Sequence, residues 1–263
     1  MRITVLLVAW SCVIASGQPG NEWERIGDLR INRVHATWKS PESLVADLQS
    51  TDRAARLDAL RLAGAESNEG YLAEVAPNEV ELRYASLDAP QTKQAIVLFE
   101  SLSYVYAAVA VPSLDGWERI AVFECWCKYE GSTFLDDVVR VEYGHAGAEL
   151  VARASGGGTG IYRQTEARFA LRNERLEPLL SFTRRERSCP AGTDSCSYQL
   201  RSFVGGELIE AKATFGNQVT VDWDLVSLRN SKPPACTPYK WDAVNFKYTP
   251  SGPAHPCKYE PPK

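Results

Sequence analysis

The chain has 263 residues, 44% hydrophobic and 24% charged, which excludes a disordered chain, a collagen-like repeat and a multi-span membrane protein. Its formal charge of −4 gives no global reason to expect nucleic acid or an anionic membrane as a partner. No nucleophile–base pair stands at a recognisable catalytic spacing, so the function classes left open are broad.

Residues 1–17 carry the grammar of a secretory signal peptide. Arg2 is followed by an apolar run from Ile3 to Ala15, and Ala15-Ser16-Gly17 sets small residues before a cut at Gln18. The run is too short to span a membrane, and no later stretch of 18 apolar residues exists, so no transmembrane segment is expected in the mature chain. Export predicts a periplasmic or secreted protein. Without residues 1–17, 246 remain, and 28 Lys+Arg face 33 Asp+Glu, a net charge of −5.

Residues 18–40 are mixed and polar and read as an ordered arm, with Trp23 and Trp38 as anchors. A helical hairpin is predicted over 41–64. Ser40 caps the first helix, Pro41 opens it and Glu42 faces its positive end; Leu44, Val45 and Leu48 share a face. Ser50-Thr51-Asp52 caps the second, with Ala55, Leu57, Leu60 and Leu62 as apolar positions and Gly64 as its stop. The phrase from Leu48 to Asp52, followed by Arg56 to Leu62, resembles a single HEAT-like repeat. One such unit cannot bury its own face, so a hairpin capping the β part is the preferred reading.

From about residue 78 the apolar period falls from 3.6 to 2. Ala95 to Phe99 is a short buried run, and Val105, Ala107, Val109 and Val111 share a face. Val139, Val141 and Tyr143 alternate with polar residues. So do Ile209 to Phe215, Val219 to Leu225, and Val244, Phe246 and Tyr248. Leu114-Asp115-Gly116 and Arg172-Asn173-Glu174 sit where hairpin turns belong. Residues 65–263 therefore read as one antiparallel β domain with a disulfide-stapled tail. The fold class expected is α+β: a short N-terminal helical hairpin packed on a predominantly antiparallel β region, blade-like or a sandwich.

Leu87-Asp88-Ala89-Pro90 before Ala95-Ile96-Val97-Leu98, with a repeat near 55 to 60 residues, resembles a degenerate FG-GAP or VCBS blade opening, over about residues 80–250. The resemblance implies β-propeller-like blades. Intact blades of that type carry an aspartate-rich calcium loop; only Asp88 remains here, so calcium binding does not carry over. Three units are fewer than the four or more blades of a closed propeller, and an open set of packed sheets is an equal expectation.

Behind the export signal stand six cysteines: Cys125, Cys127, Cys189, Cys196, Cys236 and Cys257. An even count in an oxidising compartment predicts disulfides. The turn-rich loop between Cys189 and Cys196 predicts one bond; Cys236 and Cys257, flanking the last strand in proline-rich stretches, predict a second. Cys125 and Cys127 remain. A direct bond ranks first by elimination, pairing with Cys236 and Cys257 across sheets is the alternative, and a zinc site of the four thiolates is third.

The most distinctive stretch is Ser155-Gly156-Gly157-Gly158-Thr159-Gly160. It could present backbone N–H groups to an anion, but no helix follows it, and a hairpin or bulge where backbone passes close to another element is preferred. Residues 153–201 hold nine arginines, no lysine and five acids, a local +4. Their functional reading is an anion patch around Arg163, Arg168, Arg184, Arg185 and Arg187; the bland one is strands facing acidic neighbours. His145, near Glu142 and Glu149, lies on a turn without metal-ligand spacing.

These observations point to an exported non-enzymatic binding or structural protein. Its partner is a protein or a small anionic ligand, met through Gly156, Gly157, Gly158, Thr159, Gly160, Arg163 and Arg184. No cofactor, metal or nucleic acid is expected. The rival is a secreted hydrolase of envelope or environmental polymers using Asp136, Asp137 and Glu142, which requires two carboxyls facing one cleft.

Overall fold

The computed structural model describes residues 23–65, 77, 79–101, 104–125, 139–158, 160–192, 195–216 and 234–257. The signal segment, Trp126, Cys127, Asp136, Asp137, Thr159 and the strand expected at Val219–Leu225 lie outside the described residues.

Two antiparallel sheets and one helical hairpin make up the described chain. It opens with strands β1 (Glu24–Ile26), β2 (Leu29–Asn32) and β3 (Ala36–Trp38), then helices α1 (Pro41–Leu48) and α2 (Arg53–Ala63). Strands β4 (Glu79–Ala85), β5 (Gln94–Ser101), β6 (Tyr104–Ser113) and β7 (Gly116–Cys125) follow as a meander. The first sheet has the order β1-β2-β7-β6-β5-β4, with β3 also paired to β7. The second is a longer meander: β8 (Val139–Gly144), β9 (Gly147–Gly158), β10 (Ile161–Arg172), β11 (Arg175–Ser188), β12 (Ser195–Val204), β13 (Glu207–Gly216), β14 (Ala235–Asp242) and β15 (Lys247–Pro250) pair in sequence order. A short β16 (His255–Pro256) returns beside β14. Strand dominates, so the α+β expectation is met only through the single hairpin of helices.

The helices form where the local chemistry places them. Ser40 and Ser43 close a reciprocal capping box around Pro41, and Asp52 accepts the Ala54 N–H at 2.9 Å. α2 stops at Gly64, whose left-handed backbone (φ 87°) suits glycine. Buried Arg119 of β7 then donates to the Arg61 and Leu62 carbonyls at the end of α2, and to the Val34 carbonyl before β3. One guanidinium thus ties helix end, strand and loop together.

The period-2 pattern separates two cores. Residues Val105, Ala107, Val109 and Val111 of β6 face the second sheet, where Leu150, Ala152, Phe169 and Leu171 meet them; Phe123 and Phe169 touch at 5.2 Å between ring centroids. Tyr106, Ala108 and Ala110 of the same strand face the helices and pack with Trp38, Leu48 and Leu60. The hairpin therefore seals the first sheet rather than beginning a solenoid. A third cluster, Ala170, Leu179, Phe203 and Tyr248, forms where the second sheet curls and its last strands come back over β10 and β11.

Three expectations change. Residues 23–38 carry the three short strands β1 to β3 of the first sheet rather than a separate arm, because β2 and β3 cover the edge of β7 and satisfy its backbone. Val244 and Phe246 do not lie in a strand. The Asp242 carboxylate accepts the Val244 and Asn245 N–H groups and Phe246 takes φ 51°, so residues 243–246 form a turn and only Tyr248 of the trio is buried. The described sheets do not close into a propeller: each stays open, and the two stack face to face.

The disulfides Cys189–Cys196 and Cys236–Cys257 are present, with Cα atoms 4.3 and 5.0 Å apart, and they fit an oxidising compartment. Cys125 is also disulfide-bonded. Pairing of Cys125 and Cys127 with the tail cysteines, and the four-thiolate zinc site, are thereby overturned, since Cys236 and Cys257 have each other. Among the described residues no helix is long and apolar enough to cross a membrane.

Candidate functional site: a guanidinium-rich cleft on the second sheet

Strand alternation puts one set of side chains of the second sheet into the shared core and sends the other set outward. On β10, Thr165, Ala167, Phe169 and Leu171 point to the first sheet, while Gln164, Glu166, Arg168 and Ala170 point away. Arg140 and Glu142 of β8, Glu149 and Arg153 of β9, and Arg184 of β11 join that outward face. The curl of β12 to β15 walls it in. The result is a cleft of about 730 Å³.

Its charges are interlocked. The carboxylate of Glu166, whose side chain is only 3% exposed, lies 2.9 Å from Arg153, 3.3 Å from Arg168, 3.7 Å from Arg184 and 3.9 Å from Arg140. Glu142 receives Arg140 and, at 2.7 Å, Arg168. Glu149 takes Arg168 at 3.2 Å and a hydrogen bond from the Tyr248 hydroxyl, which in turn accepts the His145 backbone N–H at 3.0 Å. Four arginines thus meet three glutamates, and one positive charge remains in excess within this group.

The surplus concentrates at Arg184. Its side chain is 18% exposed, and its guanidinium donates to Gln164 at 2.8 Å and shares Glu166 with three other cations. Burial, then the neighbouring Arg153 and Arg185 charges, push it down to about 10, still a cation at neutral pH. The Nε of Arg168 is buried without a hydrogen-bond partner among the described residues. Burial by itself would raise the Glu142 carboxyl, but Arg168 and Arg140 outweigh it and hold the group below the usual carboxylate range. The cleft therefore offers hydrogen-bond donors and positive potential, with its carboxylates already satisfied.

The residues singled out in the sequence do not come together. Arg184 lines the cleft, whereas Arg163 points to the opposite face of β10 and makes two 2.8 Å bonds to Asp28 of the β1–β2 turn. The glycines serve that junction. A Cβ on Gly156 would sit 2.6 Å from the Asp28 carboxylate, and one on Gly157 (φ 155°) would strike the Ile161 carbonyl. Gly160 lies against the Cys189 carbonyl and accepts its N–H at 2.8 Å. Gly158 has open space around its Cα. A smaller hollow of about 240 Å³, beside Arg30, Tyr104 and Gly156, lies at this junction. His145 is exposed at the β8–β9 turn.

Arg140, Arg153, Glu149, Glu166 and Tyr248 were missed as site residues. Their signal was faint: opposite charges recur two residues apart, Arg140 with Glu142 and Glu166 with Arg168, where an outward strand face would carry them in any case. Comparison with family models, with curated proteins and with solved structures finds no match, so any functional reading rests on these side chains.

Proposed function

We propose that the protein is an exported, non-enzymatic binding protein that takes a small anionic ligand in the cleft on the outer face of the second sheet. The observation that carries this reading is the sharing of one buried carboxylate, Glu166, by four guanidiniums, which leaves Arg184 undercompensated inside a cavity of ligand size. A carboxylate, phosphate or sulfate beside Arg184 would supply the missing negative charge through charge-assisted hydrogen bonds. Hydrolysis is less well supported. Glu142 is held ionised by Arg140 and Arg168, whereas a general acid needs a carboxyl that keeps its proton near neutral pH.

Isothermal titration at low salt tests the reading with phosphate, sulfate and acetate, and with glycerol as a neutral control. At least one anion is expected to bind, and Arg184→Gln to weaken it by roughly tenfold or more. Equal binding of glycerol, or unchanged anion affinity in the variant, would overturn it.

A further inference from the structure

The acceptors of the cleft are committed, and its donors are not. Both oxygens of Glu142, Glu149 and Glu166 are engaged. Glu142 takes Arg140 at Oε1 and Arg168 at Oε2. Glu149 takes Tyr248 at Oε1 and Arg168 at Oε2. Glu166 takes Arg168 at Oε1 and Arg153 at Oε2. The Tyr248 hydroxyl both donates to Glu149 and accepts the His145 backbone N–H, and the Phe203 carbonyl accepts from Arg168.

Arg184 is the opposite case. A guanidinium has five N–H groups and no acceptor, and the one hydrogen bond Arg184 makes among the described residues goes to the Gln164 oxygen at 2.8 Å. Glu166, at 3.7 Å, is an ion partner beyond hydrogen-bond range. Gln164 then has its oxygen engaged and its amide hydrogens unengaged. Ser202 of β12, two residues past the Leu200–Arg185 pair, lines the same cleft and adds a hydroxyl hydrogen. The His145 ring belongs to the far turn, past the Tyr143–Ala148 pair and roughly 20 Å along the strands from Gln164.

An anion at Arg184 therefore meets hydrogens, which separates oxyanions of one shape and charge. Sulfate and hydrogen phosphate are both tetrahedral dianions at mildly alkaline pH, but phosphate keeps one P–OH. That proton needs an acceptor, and a donor desolvated without one is costly. A site built of one kind of hydrogen-bonding group rejects the analogue that needs the other kind.

We infer that the head of the ligand is an oxyanion without an acidic proton, a sulfate, sulfonate or carboxylate, and that the cleft discriminates against hydrogen phosphate. This rests on the anion-site reading and adds to it the protonation state of the group that Arg184 receives.

The test titrates the full chain calorimetrically at mildly alkaline pH with sulfate, phosphate, methanesulfonate and acetate. Sulfate is expected to bind at least about tenfold tighter than phosphate. Methanesulfonate and acetate are both proton-free monoanions, and the tighter of the two identifies the head. Gln164→Glu exchanges amide hydrogens for a carboxylate oxygen beside Arg184. It should weaken sulfate more than phosphate, so that their ratio falls toward one. Arg184→Gln should weaken all four anions. Equal affinities of sulfate and phosphate in the parent protein would show that a group such as the Ser202 hydroxyl accepts the P–OH proton; the inference then falls and the anion site stands. A ratio unchanged in Gln164→Glu also overturns the inference. No binding of any of the four anions overturns both readings.

Discussion

Each sheet gives one face to the shared core, and the two remaining faces part company. The outer face of the first sheet is Val97, Phe99, Tyr106, Ala108 and Val122, sealed by Leu44, Leu48 and Leu60 of the helical hairpin. The outer face of the second is Arg140, Arg153, Glu166, Arg168 and Arg184, and a cavity remains above it. An apolar face must be covered to keep its stabilisation, whereas a charged face can stay open if its ions offset one another. The contrast separates a face covered by the helices from one that stays open above its charges.

Substitutions can sharpen that contrast. The largest loss is expected from Glu166→Gln, which leaves four guanidiniums around a neutral amide; about 4 kcal/mol should disappear in urea unfolding. A loss below about 1 kcal/mol would show that the cluster is solvated rather than interlocked. Leu60→Ala on the sealed face should cost about 3 kcal/mol by the same measurement, since the fully buried side chain leaves a cavity between α2 and the first sheet.

Alkaline pH probes the cleft floor. Burial, then the hydrogen bond to Glu149, raise the Tyr248 hydroxyl to about 12 from its ordinary 10.0. The folded state therefore holds this proton more tightly than the unfolded chain. The resulting contribution of about 2 kcal/mol is complete below pH 10 and is lost as pH rises toward 12. Stability curves of the protein and of Tyr248→Phe should converge in that window, and parallel curves would exclude the linkage. Gly157→Ala should cost about 1 to 2 kcal/mol, through backbone strain and the collision with the Ile161 carbonyl, without changing anion affinity. The smallest effect belongs to Arg184→Gln: thermal unfolding without ligand should stay within about 0.5 kcal/mol of the parent, because the change relieves repulsion from Arg153 and Arg185. A large loss there would make Arg184 a structural residue.

Much of the architecture was legible because it rests on local chemistry. The Ser40-Pro41 start, the Asp52 cap and the Gly64 stop act within one turn of helix, and the structure places α1 and α2 between them. The loop between Cys189 and Cys196 reverses by its own turn residues, so its disulfide could be read from spacing. Where a reading failed, a contact from elsewhere decided. The segment 23–38 looked polar, yet β7 offered it an edge. Phe246 continued an alternating pattern, yet the Asp242 side chain drew the chain into a turn.

Local chemistry and alternation specify most of the strands, the helix ends, two disulfides and an arginine-rich region of local charge +4. Which arginines meet is set by contacts between strands far apart in the chain. Arg163 and Arg184 look alike in one dimension, but Arg163 shares its strand face with Thr165 and bonds Asp28, whereas Arg184 joins Gln164 and Glu166 on the other side of the sheet. Sequence spacing assigns a side chain to one of two faces; it does not say what the other sheet, or the curl of its own, brings to that face. That depends on long-range packing, and here packing gave Arg163 an acid of its own and left Arg184 to share Glu166 beside an open cleft.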